Sequence, residues 1–100
     1  MTNVLNKIIE DKKDSLKSIK KTNSLDSIEN AIKFLNNFLN FKEVIANNKR
    51  ASIITEIKKA SPSAGELVKD FNHLNIAKMY VDNGATCLSV LTEEKHFLGK

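Results

Sequence analysis

Glu56 and Lys58 are the residues of this sequence best placed to do chemistry. They carry opposite charges two residues apart, at the end of the short apolar run Ile53-Ile54-Thr55-Glu56-Ile57. In a β-strand alternate residues share a face. The spacing therefore predicts Ile54, Glu56 and Lys58 on one side, and Ile53, Thr55 and Ile57 on the other. A strand packed on both sides does not carry charge without a reason, because burying an unpaired charge is very costly. Ser61-Pro62-Ser63 then breaks the strand, since Pro62 cannot donate to a ladder and restricts Ser61. In parallel α/β proteins ligands bind at the C-terminal ends of strands, which places the chemistry at this edge. The net charge of +4 suits an anionic small molecule there. On pattern alone, a salt bridge at the rim of a sheet explains Glu56 and Lys58 equally well.

The elements that would position this edge can be read in chain order. Thr2 to Lys21 has the pattern of an amphipathic helix: Val4, Leu5, Ile8, Ile9, Leu16 and Ile19 fall within an arc of roughly 140° at 100° per residue. Its polar face mixes both charge signs and it lacks Trp or Phe anchors, so it is expected to pack on its own chain rather than on a membrane. A second helix is expected from about Asp26, where Asp26 and Glu29 have capping-box spacing, and Leu25, Ile28, Ile32, Leu35 and Leu39 continue the helical period. Asn40, with Glu43 three residues on, caps a short third helix through Ala46. Phe34, Phe38 and Phe41 are expected in the core.

Asn47 to Arg50 is a polar linker into the first strand. Beyond the Ser-Pro-Ser turn, Ala64 and Gly65 continue a loop. Asn72 is the expected N-cap of the next helix, with Leu74, Ala77, Tyr80 and Val81 on its buried side and Gly84 as its C′ residue. Cys87 to Thr92 is a second apolar run with strand character, ending at Glu93-Glu94. Strand, helix, strand is a βαβ unit, for which parallel pairing and a right-handed crossover are expected.

Composition excludes several classes. One hundred residues make at most one domain. The positive charge is mostly lysine, with Arg50 the single arginine and Tyr80 the single tyrosine, a poor complement for reading or stacking bases; no nucleic-acid partner is expected. Cys87, the single cysteine, excludes an intramolecular disulfide, fits a reducing compartment and reads as a small core residue rather than a nucleophile. No stretch is long enough to span a bilayer and no apolar leader is present, so a cytoplasmic location and no membrane partner are expected. His73 and His96 are isolated, no residues have metal-ligand spacing, and three glycines supply no phosphate-cradling loop. No metal or cofactor is expected.

The two strand ends together resemble the start of the indole-3-glycerol phosphate synthase family. Glu56, Lys58, Ser61, Pro62 and Ser63 match its E-x-K-x-x-S-P-S motif. Ser89, Val90, Leu91, Thr92, Glu93, Phe97 and Gly99 match its S-V-L-T-[ED]-x-x-x-F-x-G motif. Val4, Leu5, Lys7 and Ile8 match the opening of the family's N-terminal helical extension. The sequence departs from common family residues at Thr55, Ala64 and His96, where Ala, Lys and Tyr are usual. The resemblance implies an α/β fold: residues 1–49 as the helical extension and residues 50–100 as the first βαβ unit of a (β/α)8 TIM barrel, with only the first two barrel strands present. A whole barrel takes roughly 200 to 250 residues. The family's catalytic K-D-F lysine, its glutamate base and its phosphate loops would then lie beyond residue 100. Lys69-Asp70-Phe71 spells K-D-F but falls in the first βα loop and is not given that role.

The resemblance further implies a carboxy-lyase of tryptophan biosynthesis. The family closes an indole ring in 1-(2-carboxyphenylamino)-1-deoxyribulose 5-phosphate, with loss of carbon dioxide and water. Lys58 would contact this phosphorylated, anionic substrate or share the proton-donor role, and Glu56 would hold a lysine in place. Ser61, Pro62, Ser89, Leu91 and Phe97 would bind the substrate, and the remainder of the barrel would be required for a complete site. Two functions of different class fit: the N-terminal portion of a synthase, inactive alone, or a non-catalytic remnant or interaction module derived from this family.

Overall fold

A computed structural model describes residues 2–99. It is an α/β structure that divides into two compact units, Met1–Leu39 and Asn40–Lys100.

The first unit is helical. Helix α1 spans Thr2–Thr22, as its apolar period requires. The stripe is nevertheless open: Val4, Leu5, Ile9, Leu16 and Ile19 are exposed, and Ile8 is half-buried. Helix α2 spans Leu25–Ile32. Its cap is Ser24, whose hydroxyl accepts the Ser27 N–H at 3.1 Å; Asp26 sits in the first turn instead of capping. The helix stops before Leu35 and Leu39, because Asn36, Asn37 and Asn40 have weak helical preference. Without a helix beneath them, Phe34 and Phe38 form no stripe. They and Phe41 are exposed, Phe34 at 87%, so these rings are not core.

The second unit contains the sheets. Helix α3, Phe41–Ala46, is capped by Asn40, whose Oδ1 accepts the Glu43 N–H at 3.0 Å. Strand β1, Ile54–Ile57, pairs in parallel with β4, Cys87–Val90, aligning Ile54 with Cys87, Glu56 with Ser89 and Ile57 with Val90. Both strands are shorter than their apolar runs. Helix α4, His73–Asp82, connects them. Asn72 caps it through the Asn75 N–H, and Gly84 leaves it with φ +93°, the left-handed conformation glycine accepts most readily. The half-buried side of α4 is Ile76, Ala77 and Tyr80, whereas Leu74 and Val81 are exposed, contrary to the sequence expectation. The Tyr80 hydroxyl donates to the Glu56 carbonyl at 3.3 Å, tying α4 to β1. The core of the described residues is small: Ile57, 2% exposed, and Ala60.

Two elements were not expected. Ala60–Ser61 (β2) and Gly65–Glu66 (β3) form an antiparallel hairpin around the Pro62 turn. The Ser61 hydroxyl accepts the Ala64 N–H at 3.1 Å across that turn, and the Lys59 carbonyl accepts the Leu67 N–H at 2.8 Å. A four-residue helix, α5, Glu94–Phe97, follows β4. Among the described residues no helix is long and apolar enough to cross a membrane.

Candidate functional site

The C-terminal ends of β1 and β4 lie side by side. Their order follows from the βαβ connection, and parallel pairing brings both ends to one edge. Glu56 and Lys58 meet there, Lys58 Nζ to Glu56 Oε1 at 3.7 Å, which requires the shared side that their spacing predicts. Ile57, between them in sequence, is buried on the opposite side. The pair is open: the Lys58 side chain is 34% exposed and the Glu56 side chain 48%. An exposed ion pair of this length contributes about 0 to 1 kcal/mol to stability. Folding therefore gains little from these two charges.

Across the ladder, Ser89 is the register partner of Glu56. The Leu91 N–H donates to the Ile57 carbonyl at 3.0 Å, extending the ladder past β4 and fixing Leu91 beside the Lys58 position. Ser61 and Pro62 sit in the hairpin just beyond β1, Ser61 half-buried and Pro62 exposed. Phe97, half-buried, ends α5, and α5 packs against β2, the strand that carries Ser61. The sequence-predicted site residues thus collect on the ends of two adjacent strands and the loops that leave them.

The concave surface of this region is a cleft of about 270 Å³ lined in part by Lys59, Phe71, His73, Leu91, Thr92 and Gly99. Of the predicted site residues, only Leu91 lines it. Glu56 and Lys58 lie on open surface outside the cleft. Lys59, the next residue after Lys58, is half-buried and lines the cleft wall. Lys69 and Asp70 are exposed in the loop before α4. Among the described residues no three of His, Cys, Asp and Glu gather as metal ligands would.

Glu93 stands out although spacing alone did not mark it. Its Oε1 accepts the Lys95 N–H at 3.2 Å, and its Oε2 accepts the His96 and Phe97 N–H groups at 2.6 and 3.0 Å. Partial desolvation pushes its carboxyl pKa up. The three backbone donors and the nearby His96 ring outweigh that and hold it below the usual carboxylate range. Gly99 is the second such residue: a Cβ built there would meet the Leu91 carbonyl oxygen, and Thr92 C and Cα at 2.6 and 2.7 Å. Glutamate is not among the favoured N-cap residues, so a search for Ser, Thr, Asp or Asn caps passes over it. The usable signal was a carboxylate three residues past the last residue of β4 and a glycine six residues after it.

Known proteins resemble this chain in sequence over nearly all of its length. The sequence model of the family described as "Indole-3-glycerol phosphate synthase" matches residues 5–100. A relative of that name from Clostridium acetobutylicum is 45% identical over 98 residues, covering 97% of this chain and 37% of the relative. One from Desulforamulus reducens is 40% identical over 97 residues, with the same 97% and 37% coverage. One from Legionella pneumophila is 52% identical over 59 residues, covering 59% of this chain and 23% of the relative. The chain spans little more than a third of the length of the first two relatives, at 37%. With its two strand-end motifs brought to one edge and the family match running over nearly all of its length, the chain belongs to the indole-3-glycerol phosphate synthase family.

Proposed function

We propose that this chain forms the N-terminal part of an indole-3-glycerol phosphate synthase: a helical extension, about residues 1–49, followed by the first βαβ unit of a (β/α)8 barrel. The observation that carries the proposal is the parallel β1–β4 pair with Glu56 and Lys58 at its C-terminal edge. Active sites of such barrels are built at that end of the strands.

In this function the barrel closes an indole ring in 1-(2-carboxyphenylamino)-1-deoxyribulose 5-phosphate, with release of carbon dioxide and water. Lys58 meets the anionic substrate and the charge that develops on its oxygens, where a fixed cation lowers the barrier. In this reading it contacts the substrate or shares the proton-donor role. Glu56 keeps the ammonium oriented. Ser61, Pro62, Ser89, Leu91 and Phe97 surround the ring and its linker. A general base, the remaining cations and the phosphate-binding loops come from the rest of the barrel, so the function belongs to the whole protein. The natural gene product that carries this sequence should produce indole-ring fluorescence from the named substrate at a catalytic rate. A well-folded product that leaves the substrate unchanged contradicts the proposal.

A further inference from the structure

We propose that Glu93 and Gly99 form a clamp that sets the place of Phe97, making Glu93 a positioning residue for the substrate's aromatic ring; this rests on the function proposed above. The clamp closes from two directions. From the front, the Glu93 carboxylate accepts backbone N–H groups from Lys95, His96 and Phe97, so it holds Phe97 by that residue's own amide. Charge-assisted bonds of this kind are roughly twice as strong as neutral ones. From the back, the Gly99 N–H donates to the Glu93 carbonyl at 2.8 Å. One residue therefore bonds both ends of the loop, through its side chain on one side and its main chain on the other.

The chain reverses at Leu98, which has φ 53° and ψ 33°, the left-handed region that a branched side chain seldom enters. Such a conformation persists only where the surroundings over-determine it. Gly99 supplies that constraint, lying so close to the backbone of Leu91 and Thr92 that no side chain fits. The loop is pinned to the end of β4, and α5 rests on β2. Both oxygens of Glu93 are engaged by backbone donors. Glu93 therefore acts on the substrate through Phe97, whereas the Glu56 carboxylate remains open to solvent and ligand.

The test uses the natural gene product that carries this sequence, with Glu93→Ala, Glu93→Asp, Phe97→Ala and the double variant Glu93→Ala/Phe97→Ala. Loss of an N-cap commonly shifts a local equilibrium by about fivefold. Glu93→Ala is expected to raise KM by about that factor and to change kcat less than twofold, with Asp restoring most of the loss because it also caps. The double variant should be no worse than Phe97→Ala alone, since residues acting as a unit are not additive. Additive losses in the double variant, or an unchanged KM in Glu93→Ala, would overturn the clamp. If Glu93→Ala does not fold, Glu93→Gln, which keeps the size but loses the charge, carries the same cycle. If the wild-type protein shows no turnover, the proposed function fails, and the clamp is judged by amide exchange instead. Exchange at His96 and Phe97 should then accelerate at least about fivefold in Glu93→Ala and recover in Glu93→Asp; equal exchange in all three proteins would overturn it.

Discussion

The two strand ends carry a glutamate each and use it in opposite ways. At the end of β1, Glu56 has one side-chain partner, Lys58 at 3.7 Å, and is half exposed. Just past β4, Glu93 accepts three backbone N–H groups and its own carbonyl takes a fourth. The same side chain is left accessible in one place and fully occupied in the other. A carboxylate spent on backbone donors holds a loop; one left with a single side-chain partner is available to something outside the chain. The difference separates a residue that builds the site from one that works in it, and each prediction below would sharpen or break that division.

The largest effect concerns the open end. If Glu56 and Lys58 await groups from the rest of a barrel, residues 1–100 expressed alone should show no synthase turnover. Each missing acid or base typically contributes about 10² to 10⁴ in rate. Indole fluorescence from the isolated chain at a rate near that of a full-length relative would show that the open end is already complete.

At the closed end, Gly99→Ala should be the most damaging single change to folding. An added Cβ meets the Leu91 and Thr92 backbone, which cannot rotate away as a side chain can. Overpacking of this kind costs about 1 to 3 kcal/mol, and chemical denaturation of the natural gene product should show it.

Glu93 should have a smaller effect, and one that depends on pH. Its folded-state pKa is depressed, so its contribution is fully present above the unfolded value of about 4.3 and fades as pH falls through the folded one. Glu93→Gln should therefore narrow the stability difference from wild type below about pH 4 and leave it constant from about pH 6 upward. A difference that grows on acidification would reverse the assignment. Glu56→Gln should matter least to folding, changing stability by about 0 to 1 kcal/mol, because its ion pair is exposed. A loss comparable to that of Gly99→Ala would mean that β1 depends on this charge.

Local signals were legible in the sequence. The Asn40 and Asn72 caps, the length of α1, the parallel pairing of β1 with β4 and the shared side of Glu56 and Lys58 all follow from spacing over a few residues. What escaped depends on distant neighbours. Leu74 and Val81 fit the apolar period of α4 as well as Ile76 does, but the anchoring of Tyr80 to the Glu56 carbonyl turns Ile76 and Ala77 inward. Phe34 and Phe38 are four residues apart, yet that spacing defines a face only inside a helix, and α2 has ended at Ile32. The β2–β3 hairpin rests on two residues per strand, too few to show alternation. Helix α5 is held by a carboxylate outside the preferred caps and closed by a non-glycine residue in the left-handed region, two choices that only the backing of Leu91 and Thr92 makes favourable.

Steady-state kinetics of Lys58→Ala beside Lys59→Ala tests the central claim most directly. The two lysines are neighbours, but Lys58 pairs with Glu56 on the open edge while Lys59 lines the cleft wall and has no part in that pair. In the natural gene product, with folding checked by circular dichroism, loss of a cation that meets developing charge should cost about 3 to 4 kcal/mol in the barrier. That is roughly two to three powers of ten in turnover, while Lys59→Ala should stay near wild type. Equal losses in the two variants, or a fully active Lys58→Ala, would contradict the assignment of this edge as the site.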